Sequence, residues 1–144
     1  MNRILVLLAI LVIMALALTA CGAGPAAQAP APVATQVDVA QLGPNVDVAT
    51  VKGLLGRDDV VILDVREQSE YDAGHIPGVT LIPLKDVPNR LSEIPKDKPV
   101  IVTCRSGNRS GQAADFLRQQ GYTNVHNMTG GINAWQQAGY AVEK

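Results

Sequence analysis

The stretch "PVIVTCRSGNRSGQAADFLRQQG", residues 99–121, decides the fold that we expect. It begins with a β-branched apolar run, which is typical of a parallel strand buried on both faces. It ends in a segment with helix-spaced apolar positions that Gly121 closes. Only a short loop of small and basic residues separates the two, and Cys104 stands at the start of that loop. Because ligands of parallel α/β sheets bind beyond the carboxyl ends of the strands, Cys104 lies where chemistry is expected.

The same alternation of strand and helix continues along the rest of the chain. Apolar runs predict strands at residues 60–65, 79–84, 99–104 and 124–128. Helical spacing predicts helices at residues 46–55, 66–74, 109–121 and 130–139, and a weak helix at residues 84–94 that Pro88 limits. We therefore predict an α/β fold of three layers, with a central, mostly parallel sheet and helices on both faces.

Composition indicates one ordinary domain and gives no sign of a nucleic-acid partner. The chain has 144 residues and a formal net charge of -1, with no basic stripe. Residues 22–36, "GAGPAAQAPAPVATQ", are uncharged and rich in Ala, Pro and Gly, so they bury too little surface to offset the entropy of ordering. We assign residues 21–44 to a flexible linker and residues 45–144 to the folded domain.

The N-terminus, "MNRILVLLAILVIMALALTAC", has the organisation of an export signal. Arg3 precedes an apolar run at residues 4–18, which is shorter than the roughly 20 residues that a membrane span needs. The ending "LTAC" resembles the lipobox of bacterial lipoproteins, which implies a signal peptide over residues 1–20 and a lipid on Cys21. A conventionally cleaved signal and an uncleaved anchor remain alternatives. In each case we expect an extracytoplasmic domain, and the lipobox predicts lipid anchoring to a bacterial membrane.

The loop after Cys104 has the chemistry of an anion-binding cradle. Gly107 permits a positive φ, so successive backbone N–H groups can point inward, and the N-terminus of the next helix adds partial positive charge. Such a setting stabilises a thiolate, and we predict Cys104 as the nucleophile. The residues predicted to bind the anionic part of a substrate are Arg105, Ser106, Gly107, Asn108, Arg109 and Ser110.

Less functional interpretations of the same residues stay open at this point. Cys104 could be an inert buried thiol, which is common for cysteine. Arg105 and Arg109 could belong to a solvated turn, and Ser110 could be only an N-cap.

Two further groups of polar residues lie at other element ends. Asp64 and Arg66, in "DVR" at a strand end, are predicted to support the site, most simply as a salt bridge that fixes adjacent loops. Only two histidines, His75 and His126, are present, without a cysteine cluster, so we expect no metal site. Trp135 is predicted to be a core residue.

Four motifs in order resemble a single-domain rhodanese, a sulfurtransferase module. They are "LDVREQSEYDAGHIPG" (63–78), "PVIVTCRSGNRSGQAADFLRQQGY" (99–122), "NVHNMTGG" (124–131) and "INAWQQAGYAV" (132–142). The resemblance covers roughly residues 45–144, and the set is specific although each motif alone is not. It implies the three-layer fold of that family, and Glu70 and His75 match its pattern, with His75 expected to hydrogen-bond the loop.

The resemblance also implies a mechanism. Cys104 would take the sulfane sulfur of thiosulfate or a persulfide donor, carry it as a persulfide and pass it to a thiol, cyanide or a protein acceptor. No cofactor or metal is implied.

Two alternatives use the same loop differently. Related Cys-x5-Arg phosphatases have arginine six positions after the cysteine, whereas Ser110 occupies that position here and Arg109 comes one residue earlier. The spacing favours sulfur over phosphate and makes an arsenate reductase a lesser alternative. The second hypothesis is a sulfur carrier or redox sensor without turnover. If Cys21 is lipidated, Cys104 is the only free thiol, and an outside partner must unload it.

Overall fold

Apolar runs form a parallel sheet in the computed structural model, which describes residues 37–144. The strands are β1 (Asn45–Val46), β2 (Val61–Asp64), β3 (Thr80–Leu81), β4 (Val100–Thr103) and β5 (Val125–Met128). Their order across the sheet is β1-β5-β4-β2-β3, and each neighbouring pair is parallel. The predicted α/β class and parallel sheet are confirmed. Sequence patterning missed only β1, whose two residues are too few to show a period.

Register places the polar strand ends side by side. Strand β4 lies between β2 and β5, and Asp64 of β2 pairs with Thr103 of β4. Cys104 follows Thr103 directly, so the thiol and the Asp64 carboxylate belong to the same carboxyl edge of the sheet. This is the edge at which parallel sheets bind ligands.

Four α-helices in the described part of the chain agree with the sequence prediction. They are α1 (Val48–Leu54), α2 (Gln68–Asp72), α3 (Asn108–Gln119) and α4 (Gly131–Gln137). Asp47 caps α1 by accepting the backbone N–H of Thr50 at 2.7 Å, as expected for this residue type. The weak helix predicted around Pro88 is instead two 3-10 turns, Val87–Asn89 and Leu91–Glu93, because proline lacks the N–H that a continuous helix requires.

Two apolar clusters sandwich the sheet and make the three layers. Alternate residues of a strand face opposite sides, so Leu63 belongs to one cluster and Ile62 to the other. Helix α3 packs on the first side through Ala113, Ala114 and Leu117. Helices α1 and α4 pack on the second side through Val51, Leu54, Ile132 and Trp135. Trp135 is fully buried, which confirms it as a core residue.

The described chain begins inside the predicted linker. Residues Val39–Gln41 form a 3-10 turn, and Val37, Val39 and Leu42 pack partly buried against the cluster that holds Trp135. Contact with the core therefore begins before residue 45. The predicted signal peptide and Cys21 lie outside the described residues. Between residues 37 and 144, no helix combines the length and the apolar character needed to cross a membrane.

Candidate active site

Cys104 sits at the base of a tight loop between β4 and α3. Its side chain is 1% exposed, and its Sγ accepts the backbone N–H of Gly107 at 3.1 Å. Gly107 is the N-cap of α3 and has a φ of 95°, which favours glycine strongly. A Cβ at this position would also lie 3.0 Å from the backbone nitrogen of Gly130. The positive φ expected from the sequence is present, and it turns the loop back over the sulfur.

Opposing effects act on the ionisation of Cys104. Burial is the largest single influence and raises the pKa of the thiol. The Ser110 hydroxyl and the backbone N–H groups of Ser110, Ser106 and Gly107 together outweigh burial, so the pKa of Cys104 lies below its ordinary value. The loop therefore favours a thiolate by hydrogen bonding, the form in which cysteine is a nucleophile.

Helix α4 holds the back of the loop through a glycine pair. The backbone N–H of Ile132 donates to the carbonyl oxygen of Cys104 at 2.8 Å, and that of Asn133 donates to Arg105 at 3.1 Å. A Cβ on Gly131 would overlap the carbonyl group of Cys104, so only glycine allows this approach. Gly130 and Gly131 were not predicted as site residues, although a pair of glycines one residue after a strand is a visible signal in the sequence.

Arg109 is not a free cation. Its guanidinium donates two hydrogen bonds to the Glu70 carboxylate, at 2.6 and 2.7 Å, in a bidentate ion pair. This pairing with Arg109 is the main reason why the pKa of Glu70 falls to about 2. Arg109 is one of the residues predicted to bind the anionic part of a substrate. In the structure its charge is balanced by Glu70 of α2, which lies 39 residues earlier in the chain.

Asp64 and Arg66 form the expected pair beneath the loops. Arg66 is 4% exposed and donates from Nη2 to Asp64 at 2.7 Å. Its Nη1 and Nη2 also donate to the backbone oxygens of Glu70 and Gly74, each at 3.0 Å. The guanidinium thus ties the end of β2 to the middle of α2 and to the residues just after that helix, and thereby helps to fix the position of Glu70.

Two residues occupy places different from those expected. His75 does not hydrogen-bond the cysteine loop. Its ring stacks on Tyr71, its Nδ1 lies 3.1 Å from the Tyr71 carbonyl oxygen, and its backbone pairs with Glu143. Ser110 is not the N-cap of α3, because that helix begins at Asn108. The Ser110 hydroxyl lies instead 3.4 Å from the sulfur of Cys104 and 2.7 Å from the side-chain oxygen of Asn127.

A cavity of about 290 Å³ opens beside the loop. Its lining residues are Arg66, Glu70, Ala73, Gly74, Arg105, Ile132, Asn133 and Gln136. Arg105 is exposed and forms no ion pair with any residue in the 37–144 range. Ser106 and Asn108 are exposed.

Among residues 37–144, no group of three or more His, Cys, Asp or Glu side chains is placed to hold a metal ion.

A cysteine cradled by backbone N–H groups at the carboxyl end of a parallel strand defines a class of α/β domain with a nucleophilic thiol in an anion-binding loop. The sequence profile of the Rhodanese-like domain matches residues 47–138, which is well over half of the chain. The protein belongs to this family.

Relatives and solved structures agree with this assignment. A protein named sulfurtransferase from Allochromatium vinosum is 45% identical over 89 residues, covering 62% of this chain and 83% of the relative. The thiosulfate sulfurtransferase GlpE of Pseudoalteromonas translucida is 37% identical over 94 residues, covering 65% and 90%. The crystal structure of a rhodanese-related protein from Thermoplasma volcanium superposes with a TM-score of 0.65 at 32% identity, covering 70% of this chain and 98% of that one. The family and these relatives support sulfur transfer in general.

Proposed function

We propose that this protein is a rhodanese-type sulfurtransferase that works through a persulfide on Cys104. The donor is thiosulfate or a persulfide, and the acceptor is a thiol, cyanide or a protein. The observation that carries the proposal is the environment of Cys104. Its sulfur is buried and accepts the Gly107 N–H at 3.1 Å, and the hydrogen bonds of the loop lower the pKa of its thiol. This arrangement favours a thiolate without a neighbouring histidine base.

Two displacements at sulfur make up the reaction. The Cys104 thiolate attacks the outer sulfur of thiosulfate, a new S–S bond forms, and the old S–S bond breaks with its electron pair leaving on sulfite. An acceptor thiolate or cyanide then attacks the outer sulfur of the persulfide and returns Cys104 as a thiolate. The loop N–H groups are suited to both steps, because each state places negative charge on sulfur within the same cradle.

Arg105 is the better candidate to hold the anionic donor. The charge of Arg109 is already balanced by the bidentate contact with Glu70. Arg105 lines the adjoining cavity, directly after the nucleophile, and its guanidinium forms no ion pair with the described residues. A free guanidinium at the mouth of the loop would attract sulfonate oxygens of thiosulfate and orient its outer sulfur toward Cys104.

The test is intact-mass spectrometry of the protein after treatment with thiosulfate, followed by a thiocyanate assay with cyanide. We expect a mass gain of one sulfur atom in the wild type and none in Cys104→Ser. Absence of the gain in wild-type protein treated with thiosulfate and with a persulfide donor would refute the proposal. A stable persulfide with negligible thiocyanate formation would instead indicate the sulfur-carrier alternative.

We also propose that the domain is held outside the cytoplasm by a lipid on Cys21. Support comes from the sequence alone: the apolar run at residues 4–18 and the "LTAC" ending agree in position, and an uncharged Ala/Pro-rich segment follows. A lipid tether would leave Cys104 as the single free thiol of the chain.

A further inference from the structure

The Ser110 hydroxyl stands between two groups and has only one proton to give. Its Oγ lies 3.4 Å from Cys104 Sγ and 2.7 Å from Asn127 Oδ1. A hydroxyl donates one hydrogen bond and accepts two, so Ser110 donates either to the sulfur or to the amide oxygen. While Cys104 is a thiol, the shorter contact to Asn127 takes the proton, and Ser110 accepts from the Cys104 thiol.

A Cys104 thiolate requires the opposite arrangement. The thiolate has no proton to give, so the Ser110 proton must turn toward the sulfur to stabilise its charge. The Asn127 Oδ1 would then face the Ser110 Oγ with no hydrogen between the two oxygens. A rotation of the Asn127 amide by half a turn removes this conflict, because its Nδ2 then donates to Ser110 Oγ.

The surroundings of Asn127 accommodate both amide orientations. Its Nδ2 donates to Asn45 Oδ1 at 3.2 Å, and the two residues are register partners of β5 and β1. Asn45 is exposed and carries the same amide, so it presents either an acceptor or a donor as Asn127 turns. Gly111 leaves space beside the Asn127 amide, where even a Cβ would come no closer than 3.6 Å.

We propose that Asn127 is a positioning residue for Cys104, because its choice of amide oxygen or amide nitrogen sets whether the Ser110 proton points away from the sulfur or toward it. The proposal deepens the proposed function, since it rests on Cys104 acting as a thiolate nucleophile. The only proton transferred is the thiol proton, which passes to solvent, while the Ser110 hydroxyl and the Asn127 amide rotate. Ser110 contacts the sulfur directly, and Asn127 acts through Ser110.

Other charged and titratable groups also lie around the loop. They are the Glu70–Arg109 pair of α2 and α3, the Asp64–Arg66 pair at the end of β2, and Arg105 in the loop. On β5 itself, the His126 ring contacts the Gly43 carbonyl oxygen at 2.6 Å. None of these groups hydrogen-bonds Ser110 or Asn127 through its side chain, so a substitution at residue 127 tests the hydroxyl orientation directly.

The test is the pH dependence of Cys104 alkylation by iodoacetamide in the full chain, located by peptide mass spectrometry. Asn127→Asp places an acceptor-only carboxylate against Ser110 and holds its proton away from the sulfur. We expect the apparent pKa of alkylation to rise by about one unit, which is a roughly tenfold loss of rate below the pKa. Asn127→Leu removes the competing acceptor and should not raise the pKa.

A double-mutant cycle separates proton orientation from the added charge. In a Ser110→Ala background no hydroxyl remains to be directed, so Asn127→Asp should act only through space and raise the pKa by less than half as much. Equal shifts in both backgrounds, or a rise in Asn127→Leu, would overturn the proposal. Strand pairing is preserved in these variants because the β5 contact to Pro44 uses the backbone N–H of residue 127, and circular dichroism checks it.

Alkylation is measured without any sulfur donor. The pKa coupling can therefore hold or fail whether or not thiosulfate yields a persulfide, and the two proposals are tested separately.

Discussion

At the residue scale, the site depends on a carboxylate and a guanidinium that balance each other's charge beside the Cys104 loop. Glu70 and Arg109 have side chains about 30% exposed and join through two short hydrogen bonds. Arg66 holds the Glu70 backbone in turn. Stabilisation of the Cys104 thiolate consequently comes mainly from nearby hydrogen bonds, while the nearest arginine on α3 is occupied in organising the loop.

The Glu70–Arg109 pair predicts a pH-dependent stability. The folded pKa of Glu70, about 2, is below its ordinary value of 4.5. A depressed carboxylate pKa contributes stability above the unfolded value, and this is lost as pH falls through the folded value. We expect Glu70→Gln to be less stable than wild type at pH 7, with a difference that shrinks from about pH 4.5 downward. Urea unfolding at several pH values measures it.

Glu93→Gln is the matched control for this prediction. Glu93 also makes two 2.6 Å hydrogen bonds to an arginine, Arg90, but its side chain is 49% exposed and touches no part of the site. Solvent-exposed pairs contribute little, so this variant should lose less stability than Glu70→Gln. A Glu70→Gln difference that is constant between pH 7 and pH 3 would contradict the assignment.

At the scale of elements, the loop that holds Cys104 lies where three elements of secondary structure meet. Cys104 directly follows strand β4, Gly107 caps α3 and Ser110 lies in its first turn, and the start of α4 holds the loop from behind through Ile132. Other residues of α4 lie in the hydrophobic core on one face of the sheet, so core packing positions α4. Through its hydrogen bonds to the loop, this short helix in turn helps to position the Cys104 sulfur.

Gly131 is the point at which this contact between α4 and the loop is most sensitive. Its φ is 56°, and a Cβ would overlap Cys104 and lie 2.7 Å from the carbonyl oxygen of Arg105. Gly139 has a φ of 75° and open space around it. Gly139→Ala should cost only the strain of a left-handed residue, about 1 kcal/mol. Gly131→Ala should cost at least about 2 kcal/mol more, because backbone must shift.

Chemical unfolding of the two alanine variants measures these costs, and the alkylation rate of Cys104 reports on the loop. Gly131→Ala is expected to slow alkylation, whereas Gly139→Ala is expected to leave it unchanged. Equal stabilities of the two variants would show that α4 does not need this close approach.

At the scale of the whole molecule, two hydrophobic clusters on opposite faces of the sheet support the carboxyl edge at which Cys104 lies. The clusters contain Leu63 and Leu117 on one side and Ile62 and Trp135 on the other. The N-terminal residues Val37 and Leu42 add to the second cluster before the first strand begins. The last residues of the predicted linker are therefore packed on the face of the sheet where α1 and α4 lie.

Membrane attachment through Cys21 is a prediction for the complete chain. Expressed in a bacterium, the wild type should incorporate labelled palmitate and partition with membranes, because a cysteine after a lipobox-like ending is the residue that carries lipid. Cys21→Ser should lose the label and its lipid-dependent membrane partitioning. Wild-type protein without label would refute lipid anchoring. Membrane retention of an unlabelled Cys21→Ser variant would instead point to an uncleaved apolar anchor.

Local patterns were sufficient for much of the fold and for the centre of the site. The runs "VVILDV" and "PVIVTC" identified the two central strands because strands buried on both faces leave continuous apolar stretches. Cys104 and Gly107 were recognisable because a strand, a small loop and a helix follow one another directly in the chain. Each of these features depends only on neighbours in sequence.

Residues close together in the chain were enough to predict the parallel α/β class, the loop that holds Cys104 and a positive φ at Gly107. The partners became visible only in the folded chain: Glu70 for Arg109, Asn127 for Ser110 and Gly131 behind the loop. Secondary structure and turns follow from interactions a few residues apart, which leave a pattern in sequence. Partners brought together from distant segments are set by packing and register, and a single sequence carries no periodic trace of them.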